Sequence, residues 1–311
     1  DDVGLEMAAH HALGRTYHWC AAYASAAADF ERALHETVPE ERDRFRLVDS
    51  VRVIASSHLA VDLLFLGHFD RAAMRSDQAL ALASRTRPHS TAVTLSYATA
   101  IALWQARLID LYLGRNQAAR ERLNELVTLT KEQSFTFFAA HVDLQLAIEL
   151  STQGETASGL ELARRAFADF TRTGMSHGET MRLLLLATCC EKAGEIDEAL
   201  RLLDVGLQTP KVTGERYFEA ELHRHKGRWL LTHRPARRRD AEASFQRALA
   251  VAREQQAKLW ELLAAIDLAC LWRDQGKRDA ARDLLAPICG WFTEGLETTN
   301  VKTAKALLDE L

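Results

Sequence analysis

The feature that most constrains this chain is a stop signal that recurs along it, a helical run ending in glycine and followed within a few residues by a second amphipathic run. It stands at Phe65-Leu66-Gly67, Tyr112-Leu113-Gly114, Thr152-Gln153-Gly154, Lys192-Ala193-Gly194 and Asp274-Gln275-Gly276, at spacings of 47, 40, 40 and 82 residues. Glycine reaches the left-handed conformation that ends a helix without strain, and a small residue two to five positions on opens the next run. The unit is a helical hairpin. Its repetition over 311 residues displaces the usual expectation of about two domains of roughly 150 residues, because repeats grow by addition. Composition agrees: 50 Ala against 15 Gly and 5 Pro favours helix throughout, and 48% apolar residues supply a sizeable core.

The first unit places Leu13-Gly14, Tyr17, Tyr23, Ala26, Phe30, Ala33 and Leu34 at the offsets of a tetratricopeptide repeat, and here the sequence resembles that family. Small residues such as Gly14 and Ala26 let the two helices approach, while Tyr17, Phe30 and Leu34 fill the space between hairpins. The pattern returns with Ala60, Gly67, Phe69 and Ala72, and with Ala187, Gly194, Ile196 and Ala199. It is weaker around Gly114 and Ala119, and around Ala147, Gly154 and Gly159. A sixth unit has Gly227, Ala241 and Phe245 but a lengthened turn, His233-Arg234-Pro235-Ala236-Arg237-Arg238-Arg239, and a seventh has Ala269, Gly276 and Ala281.

The expected fold is all-α, one right-handed superhelical solenoid of about seven tetratricopeptide-like hairpins of roughly 40 residues. They fall near 4–37, 41–86, 90–131, 134–172, 177–208, 214–255 and 257–292, with a capping helix over 298–311 started by Thr298 or Thr299. Pro39, Pro88, Pro210 and Pro235 fall in loops, whereas Pro287 kinks or shortens the last hairpin. No linker, charge block or composition shift marks a domain boundary.

The last third carries a narrower pattern. Gly214-Glu215-Arg216-Tyr217-Phe218-Glu219-Ala220-Glu221-Leu222-His223-Arg224 with Lys226-Gly227, the stretch Ala243 to Arg253, Leu284-Leu285-Ala286-Pro287, Gly290-Trp291-Phe292-Thr293-Glu294-Gly295 and Ala304 to Leu308 resemble the C-terminal repeat region of certain large bacterial signalling proteins. In that family a class III adenylate/guanylate cyclase or another output domain precedes a nucleotide-binding ATPase module and then the repeats. Cys289 stands where the family usually has Tyr, and Leu296 where it has Phe. The chain has no Gly-x-x-x-x-Gly-Lys-Ser/Thr loop, so the resemblance implies that ATPase and cyclase activity lie outside these residues. Because the chain begins inside a helical pattern at Asp1, a fragment or the free-standing tail of a split system is expected.

Other chemistry finds little footing in the sequence. A formal charge of −4 offers no excess to neutralise nucleic acid. The longest apolar run, Leu183 to Cys190, is far short of the roughly 20 residues of a membrane span, and the acidic start lacks a signal peptide's basic region, so a cytoplasmic location is expected. The five cysteines read as small buried hydrophobes. Neither His10-His11 nor His223-x-His225 has the spacing that puts two imidazoles on one helix face, so no metal and no cofactor are expected. Acid pairs such as Glu40-Glu41, or Glu219 with Glu221, read as solvated faces. The arginines of the sixth turn read either as an anion or acidic-partner contact, or as a solvated loop complementing the C-terminal end of the preceding helix.

In a tetratricopeptide superhelix the first helix of each hairpin lines the concave face. Offsets from its central small residue place Ser57, Val61, Phe65, Trp104, Leu108, Tyr112, Leu144, Ile148 and Ser151 there, with Arg224 and Arg228 as a basic end. Phe65, Trp104, Leu108, Tyr112, Leu144, Ile148, Arg224 and Arg228 are the candidate partner-binding residues, for a protein, a peptide or a small-molecule effector. The competing reading makes them packing between repeats, since one residue of register turns a helix by about 100°. The expected function is a non-enzymatic regulatory, sensor or interaction module acting on an upstream ATPase in cis. The alternative is a free-standing scaffold for protein assembly.

Overall fold

In the computed structural model, residues 3–35, 47–86, 93–174 and 177–311 are described. Among them there are sixteen α-helices and no strand. The helices pair as α1 (Val3–Trp19) with α2 (Tyr23–His35), α3 (Leu47–Phe65) with α4 (Phe69–Thr86), α5 (Val93–Tyr112) with α6 (Asn116–Gln133), and α7 (Thr136–Thr152) with α8 (Thr156–Thr173). There follow α9 (Glu179–Lys192) with α10 (Ile196–Gly206), the short α11 (Thr209–Thr213), α12 (Glu219–His233) with α13 (Arg238–Glu254), α14 (Lys258–Asp274) with α15 (Arg278–Trp291), and a last helix α16 (Thr299–Glu310). Pro39, Pro88 and Glu40-Glu41 lie outside the described residues.

One hydrogen bond closes all five glycine turns. The amide after the glycine donates to the carbonyl five residues back: His68 to Leu63 (2.8 Å), Arg115 to Asp110 (2.8 Å), Glu155 to Leu150 (2.9 Å), Glu195 to Cys190 (2.8 Å) and Lys277 to Trp272 (2.8 Å). This bond satisfies a carbonyl that the helix end leaves open, and it needs a left-handed residue, which Gly67 (φ 87°) and Gly276 (φ 77°) supply. The first hairpin makes the same turn on Ala21 (φ 58°), with Ala22 donating to Tyr17 at 2.9 Å. The sixth departs from it. Arg234 donates to Leu230 at 3.0 Å, and a single 3-10 turn over Pro235–Arg237 leads into α13.

Close approach inside a hairpin rests on missing side chains. A Cβ at Gly14 would meet the Phe30 ring at 2.8 Å, and one at Gly227 would meet Phe245 at 2.6 Å, so each ring lies flat against backbone. Second helices bury a single stripe, as α8 does with Gly159, Leu160, Ala163, Ala166 and Phe170. First helices are covered on several sides: α3 packs on α2, α4 and α5, and Val53, Ala55, Leu59, Ala60, Val61, Leu63, Leu64 and Phe65 are all buried.

At the start of α9 a distant residue supplies the missing cap. Gly178 precedes α9 and has no side chain to offer, so the Glu215 carboxylate accepts from the amides of Glu179 (2.9 Å) and Thr180 (3.3 Å) and from the Thr180 hydroxyl. Pro210 and Pro235 stand in the first turn of α11 and of the 3-10 turn, where no N–H is needed. Pro287 does not end its helix. It lies inside α15, which runs on to Trp291, and what it removes is the donor to the Asp283 carbonyl. Thr298 stands at the N-cap position of α16, but its hydroxyl donates back to Gly295 at 2.7 Å. Of the cysteines, Cys189, Cys190 and Cys289 are buried. Cys20, in a turn, is exposed and Cys270 is half-buried, which corrects the expectation for those two.

Contacts divide the chain into two compact units, Asp1–His18 with Ala22–Phe135, and Trp19–Ala21 with Thr136–Leu311. No linker or composition shift in the sequence marks that division.

Candidate partner-binding surface

Half of the residues assigned to a groove are core. In the first unit Phe65 (0% exposed) and Trp104 (5%) are buried, with Leu108 and Tyr112 half-buried. In the second, Leu144 (1%) and Arg224 (8%) are buried, Ile148 is half-buried and Arg228 is exposed. Ser57, Val61 and Ser151 are buried as well. First helices are apolar around most of their circumference, so an offset counted from one small residue cannot separate the face between repeats from the face toward solvent.

Arg224 is buried as part of a network. Its Nε and Nη2 donate to the two Glu221 oxygens (2.5 and 2.7 Å) and its Nη1 to Asp267 (2.9 Å). Burial opposes the charge, but Glu221 and then Asp267 raise the pKa of the guanidinium overall. His225 beside it is driven well below the usual histidine range by burial, then by Arg224 and Arg228. Sequence spacing marked Arg224 as a surface cation. Its partner Glu221, one turn before it, is buried together with Glu219, which corrects the reading of that acid pair as a solvated face.

The first unit holds a polar cluster that sequence reading did not single out. His18 Nδ1 lies 2.7 Å from Asp62 Oδ1 with both side chains fully buried, and the His58 ring meets His18 edge-on at 4.9 Å. Burial pushes His18 down to about 3 and raises Asp62 well above the usual carboxylate range. His58 Nδ1 donates to the Ile54 carbonyl at 2.9 Å. Among the described residues no group of three or more His, Cys, Asp or Glu is placed to hold a metal.

Two clefts border the turn of the sixth hairpin, in the second unit. A cleft of about 620 Å³ is floored by Phe245, Leu231 and Leu271 and edged by Arg228, Arg238 and Asp267. A second, of about 630 Å³, is lined by Arg237, Arg238, Arg239, Glu242 and Lys277. Both border the residues that replace the tight glycine turn of the other hairpins. Arg228 is the one candidate residue that lines either of them.

These features define the class: an all-α array of tetratricopeptide-like helical hairpins. No family model matches the sequence, and no curated protein matches it. Solved structures of the same fold do. A Rap protein complexed with competence and sporulation factor is 13% identical, with a TM-score of 0.62 over 98% of this chain and 77% of that one. The Rap conjugation gene regulator of plasmid pLS20, in complex with the Phr* peptide, is 11% identical, with a TM-score of 0.63 over 99% and 76%. A signal transduction ATPase with numerous domains from Pyrococcus horikoshii, which has a tetratricopeptide repeat sensor, is 13% identical, with a TM-score of 0.57 over 91% of this chain and 42% of that one. At such identities the likeness is one of fold. No described helix is long and apolar enough to cross a membrane.

Proposed function

We propose that this chain is a non-enzymatic regulatory or protein-interaction module that binds a protein or peptide partner. The observation that carries the reading is the hairpin array itself, an extent of fold shared with Rap proteins that were solved with the competence and sporulation factor and with the Phr* peptide. Leu108 and Tyr112 in the first unit, and Ile148 and Arg228 in the second, keep accessible surface for the partner. Phe65, Trp104, Leu144 and Arg224 act by fixing the helices that carry them. Binding becomes regulation when the partner prefers one of two states of the protein it controls.

A finer reading makes the chain the repeat tail of a cyclase-linked signalling ATPase. The Gly214 to Gly227 and Gly290 to Gly295 strings support it, as does likeness to the Pyrococcus horikoshii signal transduction ATPase with its repeat sensor. The alternative is a free-standing scaffold for protein assembly, which the same array of hairpins supports.

Crosslinking in the native organism, followed by titration calorimetry with the purified partner, tests the reading. The expected result is a stoichiometric complex weakened about tenfold by Tyr112→Ala or Arg228→Ala, about 1.4 kcal/mol. Nucleotide turnover by the chain alone, with no complex formed, overturns it.

A further inference from the structure

We propose that the turn of the sixth hairpin is a docking site for an acidic, partly apolar segment of a partner protein. The proposal rests on the interaction-module reading and gives that module a particular contact. It starts from the run Arg234-Pro235-Ala236-Arg237-Arg238-Arg239, the densest cationic stretch of a chain whose net charge is −4. A solvated loop complementing the end of α12 accounts for Arg234 alone, which stands at that helix's C-terminal cap. Arg237 stands at the N-cap position of α13, and Arg238 and Arg239 are its first two residues. There the helix end is itself positive, so these arginines repel it as well as each other.

The ion pairs sharpen the point. Arg234 reaches Asp197 (2.6 Å) and Arg237 reaches Asp240 (2.7 Å). In the first cleft Asp267 is held by Arg224 (2.9 Å) and Asp274 by Arg273 (3.2 Å). In the second, Glu242 accepts from the Trp272 indole (2.7 Å) and faces Lys277 at 3.9 Å. The carboxylates along both clefts are thus engaged. Arg228, Arg238 and Arg239 are exposed, and among the described residues none of them makes an ion pair. Arg238 lines both clefts.

Charge complementarity asks for carboxylates, and the first cleft asks for more than charge. Its floor of Leu231, Phe245 and Leu271 takes an apolar side chain, which a bare polyanion such as nucleic acid does not supply. An extended segment that alternates acidic and apolar residues meets both conditions, with carboxylates on Arg228, Arg238 and Arg239 and an apolar side chain on the floor.

The test uses the full chain and two fluorescein-labelled decapeptides, one alternating Glu with Leu and one alternating Gln with Leu. Fluorescence anisotropy is expected to show saturable binding of the Glu peptide, at least tenfold tighter than the Gln peptide and weakened by salt. Arg238→Glu with Arg239→Glu is expected to abolish it, and Arg282→Glu, an exposed arginine outside both clefts, to leave it unchanged. Equal binding of the two peptides, or an unaltered affinity in the double variant, overturns the docking site, as does displacement of the Glu peptide by equimolar pyrophosphate, which marks a small oxyanion site. If a partner found by crosslinking binds the double variant as tightly as the parent chain, the docking site fails and the module stands. If no partner is found at all, the module itself fails.

Discussion

Gln256 sits in the turn between α13 and α14 at φ 56°, exposed to solvent, while the amide of Ala257 donates to Ala252 at 2.8 Å. The turn is the one that glycine makes elsewhere in the chain, with a side chain where none is favoured. Gln256→Gly is expected to raise stability by about 0.5–1 kcal/mol, because left-handed backbone costs a non-glycine residue about that much; urea denaturation checks it. A second prediction at this scale concerns His141, buried among Phe137 and Phe170. Burial, and then Arg182, push it down to about 3 from 6.5. Between these values the unfolded chain binds a proton that the folded chain refuses, so stability falls as the pH falls, by about 1.4 kcal/mol per pH unit. Above 6.5 the histidine contributes no slope. Comparing urea midpoints at pH 7 and pH 4.5, His141→Phe is expected to lose less stability than the parent, by about 2–3 kcal/mol. His11, His18 and His223, pushed down to about 4, 3 and 4, add slope of the same sign. None of this was legible in the sequence, where a histidine on a helix looks the same whether its ring meets water or phenylalanine.

At the scale of the element, much more was legible. Helix ends could be read from Gly67, Gly114, Gly154, Gly194 and Gly276 because a helix terminus is a local event, needing one left-handed residue and one carbonyl to satisfy. Gly14 and Gly227 were also marked as points of close approach, and both prove to carry a ring against backbone. Gly227→Ala places a methyl 2.6 Å from Phe245, and is expected to cost about 1–3 kcal/mol by overpacking. Adding Phe245→Leu should recover part of that loss, and a double-mutant cycle measures the coupling. What could not be read was the rotation of each first helix. The partner assignment made Trp104 a groove residue, and the structure buries it, because α3, α4 and α6 packed around α5 leave it little solvent face.

At the scale of the whole molecule, stability in an array of hairpins is a sum of local terms. Leu59→Ala in α3, where the parent side chain is fully buried, is expected to cost about 2–5 kcal/mol. Hydrogen exchange should show the lost protection first in α2 to α5, the helices that pack with α3 or against it. Uniform loss over all helices would contradict a nearest-neighbour array. The sequence by itself determined that the chain is all-helical, that its helices come in hairpins, and where most of their turns fall, since propensity, periodicity and helix stops act over a few residues. Only the tertiary structure decided that the contacts form two units, that Glu215 caps a helix 36 residues away, and that Arg224 is buried among carboxylates while Arg228 borders a cleft. Those outcomes depend on which faces meet when the hairpins stack, and that is set by packing between residues tens of positions apart, which no short pattern records.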